Sequence, residues 1–360
     1  MDTTLYRRPL PTDTIAFSSS EGRSVFAEAL ASGGLDGYFP LAEQFHTQSD
    51  PAFCGLGSLV VALNALGIDP GRLWKGPWRW FAEDMLDCCV PLSEVRERGV
   101  DLDELACLAR CNGALVDLHR ADADTLDVWR AGLVVAARGE AVVVASYDRA
   151  SLAQTGSGHF SPIGGYHRER DLVLVLDVAR FKYPPHWVSA ERLFEAMRPV
   201  DPSTGRSRGW MTLTPRARGI ALGFSLRCEG ESWQQLAQRL STVIGNVQGT
   251  EDLSTLARAV EPLVAHVELR ATPVGANHDA VAAAREALRA VPAYRVVGEV
   301  VGPTQVEAVT VLLLAMADFV VPARRAALQA SLDQANGNAD LAAELRNMSA
   351  QLGALMQVQR

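Results

Sequence analysis

Apolar positions recur at i, i+3, i+4 through Trp233–Val247, Glu251–Val267, His278–Val291, Gln305–Asp333 and Asn338–Gln359, the spacing of one buried helix face. Pro262 and Pro322 predict breaks in two of these runs, because proline removes a backbone donor and clashes with the preceding turn. Tyr294–Val301 alternates weakly and predicts a strand. The earlier chain mixes periods. Ser20–Leu35 reads as a helix capped by Ser20, and Leu56, Leu59, Val60, Leu63 and Leu66 trace a helix face that stops at Gly67. Leu102–Asn112 also reads as a helix, and a helix-like stretch runs from Trp80 toward Cys88. Ala141–Tyr147 and Leu172–Val178 are dense in Val and Leu, as strands buried on both faces are. His159–Gly165 precedes a mostly polar loop, Tyr166–Arg170, and pairs with Leu172–Val178 as a hairpin.

The pattern predicts an α+β fold class and a change of character near residue 218. Residues 1–217 are expected to form a mixed domain and 218–360 a mainly helical one that stabilises or dimerises the protein, giving a homodimer, with Pro215–Gly219 as the junction. Hydrophobic residues make up 48% and charged residues 21% of the 360, enough to bury sizeable cores. The 34 Lys and Arg against 42 Asp and Glu leave a net charge of −8, which argues against nucleic acid as a partner, since a binder needs a basic face to displace counterions. The longest mostly apolar run, Ala308–Ala317, is too short to span a bilayer, and the N-terminus carries no apolar signal region. The expectation is a cytoplasmic protein with no membrane partner.

Six cysteines, Cys54, Cys88, Cys89, Cys107, Cys111 and Cys228, change the picture further. A reducing compartment disfavours structural disulfides, and no CxxC pair or Cys/His zinc spacing is present, so one or more reduced thiols are expected. Cys54 stands just ahead of a helix, where unpaired N–H groups and the dipole favour a thiolate. Gly55 beside it would let a substrate backbone approach. His159 follows a Gly-rich turn, and a hairpin register that closes at Gly165 and Asp171 sets it directly opposite Asp177; slippage by one would send the two to opposite faces. Cys, His and Asp in this order are the layout of papain-like thiol enzymes, with Cys attacking a carbonyl, His carrying the proton and Asp orienting the ring. Gln48 can offer its side-chain N–H to an oxyanion together with the Cys54 amide. Each residue alone is more often structural, and the four together carry the argument.

The stretches LYRRPLP, FSSSEGRSVFAEAL, TQSDPAFCGL, ALNALGIDPGRLWKGPWRWF, MLDCC, QTGSGHFSPIGGY and LDVARFKYPPHW resemble the catalytic domain of the phytochelatin synthase family from about residue 5 to 214. The resemblance implies a papain-like γ-glutamylcysteine dipeptidyl transferase that takes glutathione, releases glycine and uses no organic cofactor. It implies the triad Cys54, His159 and Asp177 with Gln48 in the oxyanion hole, and a γ-glutamyl pocket at Asp201 and Arg208, an acid and a cation for the substrate's amine and carboxylate. It further implies an acceptor site at Arg149, Arg180, Lys182 and Tyr183, with Phe53 and Gly158 at the substrate. The partners implied are glutathione and its heavy-metal thiolates, with divalent Cd or Zn carried by the substrate rather than by a protein site. Cys88, Cys89, Cys107 and Cys111 are read as core thiols, against a soft-metal site as the alternative. Cys228 has no assigned role. A glycine-releasing hydrolase of the same fold is the second reading, and a non-catalytic heavy-metal buffer the third.

Overall fold

The computed structural model describes residues 7–70, 73–87, 89–215, 224–226, 233–246, 252–269, 278–320 and 322–357. Cys88, Cys228 and residues 216–219 of the expected junction lie outside these. The chain forms two compact units, the first Met1–Pro70, Trp74–Asp87 and Pro91–Arg216, the second Gly71–Leu73, Cys88–Val90 and Ala217–Arg360.

In the first unit the strands are β1 (Ile15–Ala16), β2 (Ala114–Arg120), β3 (Val142–Asp148), β4 (Gly158–His167), β5 (Leu172–Val175), β6 (His186–Ser189), β7 (Val200–Asp201), β8 (Arg206–Ser207) and β9 (Gly209–Pro215). Seven of them make one antiparallel sheet in the order β1-β6-β5-β4-β3-β9-β2, and β7-β8 form a separate hairpin. The helices are α1 (Ser20–Ala31), α2 (Tyr38–Gln44), α3 (Cys54–Ala65), α4 (Leu92–Arg98), α5 (Leu102–Cys111), α6 (Leu126–Ala137) and α7 (Ala190–Met197). Helices α6 and α7 cover the face bearing Val143, Ala145, Tyr147, Val173, Val175 and Trp210, with Trp129 and Phe194 packed between. Helix α3 packs on the other face, where Gly55 comes against Phe160. Cover on both faces explains why β3 and β5 read as continuous Val/Leu runs although the sheet is antiparallel.

Several expectations are corrected. The α1 cap is Ser19, whose Oγ accepts from the Gly22 N–H, and the helix ends at Ala31, where Gly33 turns away at φ 73°. From Trp80 there is a single 3-10 turn, Glu83–Met85, after a Lys75–Trp78 bridge closed over Gly76-Pro77. Gly55 faces inward: a Cβ there would stand 2.4 Å from Val100 Cγ2, so the glycine serves packing of α3, not approach of a substrate.

The hairpin register also differs, and the difference positions the site. Tyr166 pairs with Val173 and His167 with Leu172, whereas beyond a bulge at Gly164 Ile163 pairs with Val175. Without the bulge Asp177 would continue opposite Pro162, on the face away from His159, because side chains alternate along a strand. The extra residue shifts the ladder by one. Leu176 N–H then donates to Pro162 O at 3.0 Å, and Asp177 follows opposite Ser161, two residues from His159 and on its face.

The second unit contains α8 (Trp233–Asn246), α9 (Leu253–Val260), α10 (His278–Ala290), α11 (Pro292–Gly298), α12 (Val306–Ala315), α13 (Pro322–Asn336) and α14 (Ala339–Gln357), with one two-stranded sheet of β10 (Phe224–Leu226) and β11 (Val267–Leu269). The Pro262 interruption appears as a change to 3-10 helix at Glu261, and Pro322 opens α13. The strand expected at Tyr294–Val301 is instead helix α11: Pro292 starts it, and Ala293 and Val297 bury one face, so packing overrides a weak alternation. Helix α12, which holds most of the longest apolar run, is buried almost throughout. Among the described residues no helix is long and apolar enough to cross a membrane.

A Cβ at Gly164 would meet Leu176 Cγ at 2.8 Å. Gly164→Val is therefore expected to cost about 1–3 kcal/mol in urea denaturation by overpacking, and to slow alkylation of Cys54 by displacing the segment that carries Asp177.

Candidate active site

Cys54 is the first residue of α3 and is half-buried. His159 lies at the start of β4 and Asp177 just beyond β5. The imidazole Nε2 stands 2.9 Å from Asp177 Oδ1, which leaves Nδ1 for the thiol. Burial pushes the Cys54 thiol up, but the charge and hydrogen bond of His159, a hydrogen bond from the Phe160 N–H and the Arg149 charge outweigh it, and the net shift is down. For His159, burial and Arg149 push down, while Asp177 and Cys54 push up and prevail. The two shifts favour a thiolate–imidazolium pair.

Asp177 is fully buried. Burial raises its carboxyl, yet His159 and Arg149 hold it well below the usual carboxylate range. Its oxygens accept from His159, from the Ala179 N–H at 2.9 Å, and from Arg149 Nη2 at 2.8 and 3.0 Å. This corrects the expected place of Arg149. Its side chain is 3% exposed and committed to Asp177 and Gln154, so it is no free cation for an acceptor. A sequence does not distinguish an arginine at the end of a strand that reaches inward from one that reaches outward.

Gln48 is buried, and its backbone N–H donates to Val178 O at 3.0 Å, docking the loop before α3 onto the segment after Asp177. Its side-chain Nε2 donates to Asp50 O at 2.8 Å and Pro51 O at 3.0 Å, so both amide hydrogens are engaged. An oxyanion role therefore requires one of those carbonyls to be exchanged. Glu83, which sequence reasoning missed, is buried and accepts from the Ser49 N–H at 3.0 Å and from the Ser49 hydroxyl. Nothing in the sequence sets it apart from its neighbours Asp84 and Asp87.

Asp201 and Arg208 do come together, with Asp201 Oδ2 3.9 Å from Arg208 Nε. Arg208 is buried and Nη1 donates to Pro199 O and Val200 O, while Nε has no hydrogen-bond partner. Gly158 adjoins this guanidinium: a Cβ there would stand 3.3 Å from Nη2. The glycine thus links the Asp201–Arg208 pair to His159, its neighbour in sequence. Arg180 is exposed, 4.8 Å over the Phe45 ring. Lys182 Nζ donates to Thr155 O at 2.5 Å; partial burial and then Arg149 lower its pKa. Tyr183 is buried, its hydroxyl accepting from the Thr155 N–H and its ring under Arg149. Phe53 is 3% exposed with Arg96 over its ring, so it is packed inside instead of offered to an acceptor. Cys89, Cys107 and Cys111, read as core thiols, are all buried. Cys107 and Cys111 are buried on α5 with sulfurs 3.9 Å apart.

Removing the Arg149 cation leaves a buried carboxylate with only His159 and the Ala179 N–H as partners. Arg149→Met is expected to destabilise the protein by about 3–5 kcal/mol, read by chemical denaturation. In the native protein, iodoacetamide alkylation of Cys54 should rise through a midpoint below that of an ordinary thiol and then stay level. Turnover should rise with the same midpoint and fall as pH passes through the raised His159 pKa, because the proton donor is then lost while the thiolate remains.

Residues 5–210 match the family described as phytochelatin synthase. Glutathione gamma-glutamylcysteinyltransferase 1 of Arabidopsis thaliana is 48% identical over 258 residues, covering 71% of this chain and 53% of that protein. The Triticum aestivum protein of the same name is 48% identical over 268 residues (73% and 54%), and the Schizosaccharomyces pombe glutathione gamma-glutamylcysteinyltransferase 41% over 257 residues (71% and 62%). The chain thus spans about half the length of most of these curated relatives. With a family match over more than half its residues, on the segment that holds all the candidate side chains above, the chain belongs to the phytochelatin synthase family.

Proposed function

We propose that the chain is a glutathione γ-glutamylcysteinyltransferase with a papain-like Cys54–His159–Asp177 triad, joining γ-Glu-Cys units into phytochelatins. The observation that carries this is the His159 imidazole held between the Asp177 carboxylate and the Cys54 thiol at the start of α3. The Cys54 thiolate attacks the carbonyl carbon between cysteine and glycine of glutathione. The oxyanion forms at the N-terminus of α3, where the first amides lack helical acceptors, with Gln48 exchanging one of its carbonyls for it. His159 gives its proton to the glycine nitrogen as the C–N bond breaks, and γ-Glu-Cys stays on Cys54 as a thioester. His159 then takes a proton from the α-amine of a second glutathione, the amine attacks the thioester, and Cys54 leaves as thiolate. Arg208, with its buried unpartnered Nε, and Asp201 hold the γ-glutamyl carboxylate and amine. The acceptor, as a Cd or Zn thiolate of glutathione, meets Arg180 and Lys182. The second unit is assigned no step and is read as a stabilising or dimerising part.

A hydrolase has one observation in its favour: Arg149 is spent on Asp177 and Lys182 on Thr155 O, which leaves Arg180 as the cation without a polar partner in the expected acceptor set. Incubation with glutathione, with and without Cd²⁺, followed by mass analysis, decides between them. Oligomers of γ-Glu-Cys ending in glycine are expected. Free γ-Glu-Cys alone would establish the hydrolase, and unchanged glutathione beside stoichiometric metal binding would establish the buffer. Cys54→Ser is expected to abolish glycine release and chain growth with the fold intact, and unaltered turnover would overturn the mechanism. Arg180→Ala is expected to reduce transfer several-fold more than glycine release; equal loss of both would remove it from the acceptor site.

A further inference from the structure

We propose that Gln154 and His186 are positioning residues that hold Arg149 against Asp177 and so fix the tautomer and plane of His159. The proposal rests on the reading of Cys54 as nucleophile. Both side chains are buried, and their hydrogen bonds are to each other, to Arg149 and to Pro184 O.

The hydrogen bonds run in one direction, and each donor fixes the next. His186 Nδ1 stands 3.0 Å from Pro184 O. A carbonyl only accepts, so Nδ1 carries the proton and Nε2 is left as an acceptor. Gln154 Nε2, 3.3 Å away, donates to it, which sets the amide so that Oε1 faces Arg149. Arg149 Nη1 donates to that oxygen and Nη2 to both oxygens of Asp177. Asp177 Oδ1 then accepts from His159 Nε2, leaving Nδ1 for Cys54.

The backbone is bent to make this chain possible. Arg149 and Gln154 bracket a single 3-10 turn, with the Gln154 N–H donating to Arg149 O at 2.9 Å. Ala153, between them, sits in the left-handed region at φ 56°, a conformation disfavoured for a residue with a Cβ. The turn brings the amide of Gln154 back over the guanidinium of Arg149. The charged groups that His186 senses are Asp177, Arg149 and His159; burial, the largest influence, holds its pKa down and keeps it the neutral acceptor that the chain requires.

The test uses the full chain and reads two quantities: the pH midpoint of iodoacetamide alkylation at the Cys54 peptide, measured by mass without substrate, and kcat and KM for glycine release. Gln154→Leu and His186→Leu are each expected to raise the midpoint by about one pH unit and lower kcat about tenfold with KM within about twofold, as loss of an outer hydrogen-bonding partner does elsewhere. His186→Gln can accept from Gln154 and donate to Pro184 O, and should stay within about threefold of the native kcat. Thermal melts establish that each variant is folded. The proposal is overturned if folded leucine variants keep the native midpoint and kcat, if activity falls only with the folded fraction, or if His186→Gln is as impaired as His186→Leu. A native protein that shows the depressed midpoint but forms no product from glutathione would sink the proposed substrate and leave this assignment standing.

Discussion

A carboxylate with no surface exposed to water has to be held by charge and hydrogen bonds, or it takes up a proton. Asp177 is that group in this protein, and the site is arranged around keeping it charged. Arg149 neutralises it from one side, the Ala179 N–H from below, and His159 from the side that faces the thiol. Because Arg149 supplies the cation, the imidazole remains able to exchange a proton with Cys54 instead of being locked as the sole counter-charge. Low dielectric makes each of these contacts count for more than it would at a surface, and makes an unpaired member costly.

The same constraint explains why the segments are tied together as they are. Gln48 docks by its backbone on Val178, so the loop that delivers Cys54 is registered against the segment that delivers Asp177. Glu83 grips Ser49 in that loop. Gly158 leaves room for Arg208 beside the strand that starts with His159. A thiol, an imidazole and a guanidinium from distant parts of the chain are thus set within one small region by short backbone links.

Much of this was legible in the sequence. Cys54 announced itself through its place before the α3 periodicity, and His159 and Asp177 through a hairpin pattern that needed only their side of the sheet to be guessed. The inferred register was nonetheless wrong, and parity alone rescued it: the bulge at Gly164 restores a shared face that a regular ladder from the observed turn would have lost. Arg149 shows the opposite outcome. The resemblance placed it in an acceptor site, and a charged residue at a strand end gives no sign of which way it points. Phe53 and Tyr183 went the same way, as aromatics expected at a ligand and found packed inside. Tyr294–Val301 was misread because weak alternation competes with burial of Ala293 and Val297 on a helix started by Pro292.

The sequence by itself determined the types and order of the reactive groups, the periodic helices, and the strands rich in Val and Leu, since these rest on local spacing and on side-chain chemistry. The tertiary structure decided which cation neutralises Asp177, where the Gln48 amide spends its hydrogens, and which face of the hairpin Asp177 joins. Those depend on burial and on distances between residues far apart in the chain. No local pattern encodes them, because the field that a charge experiences is set by everything packed around it.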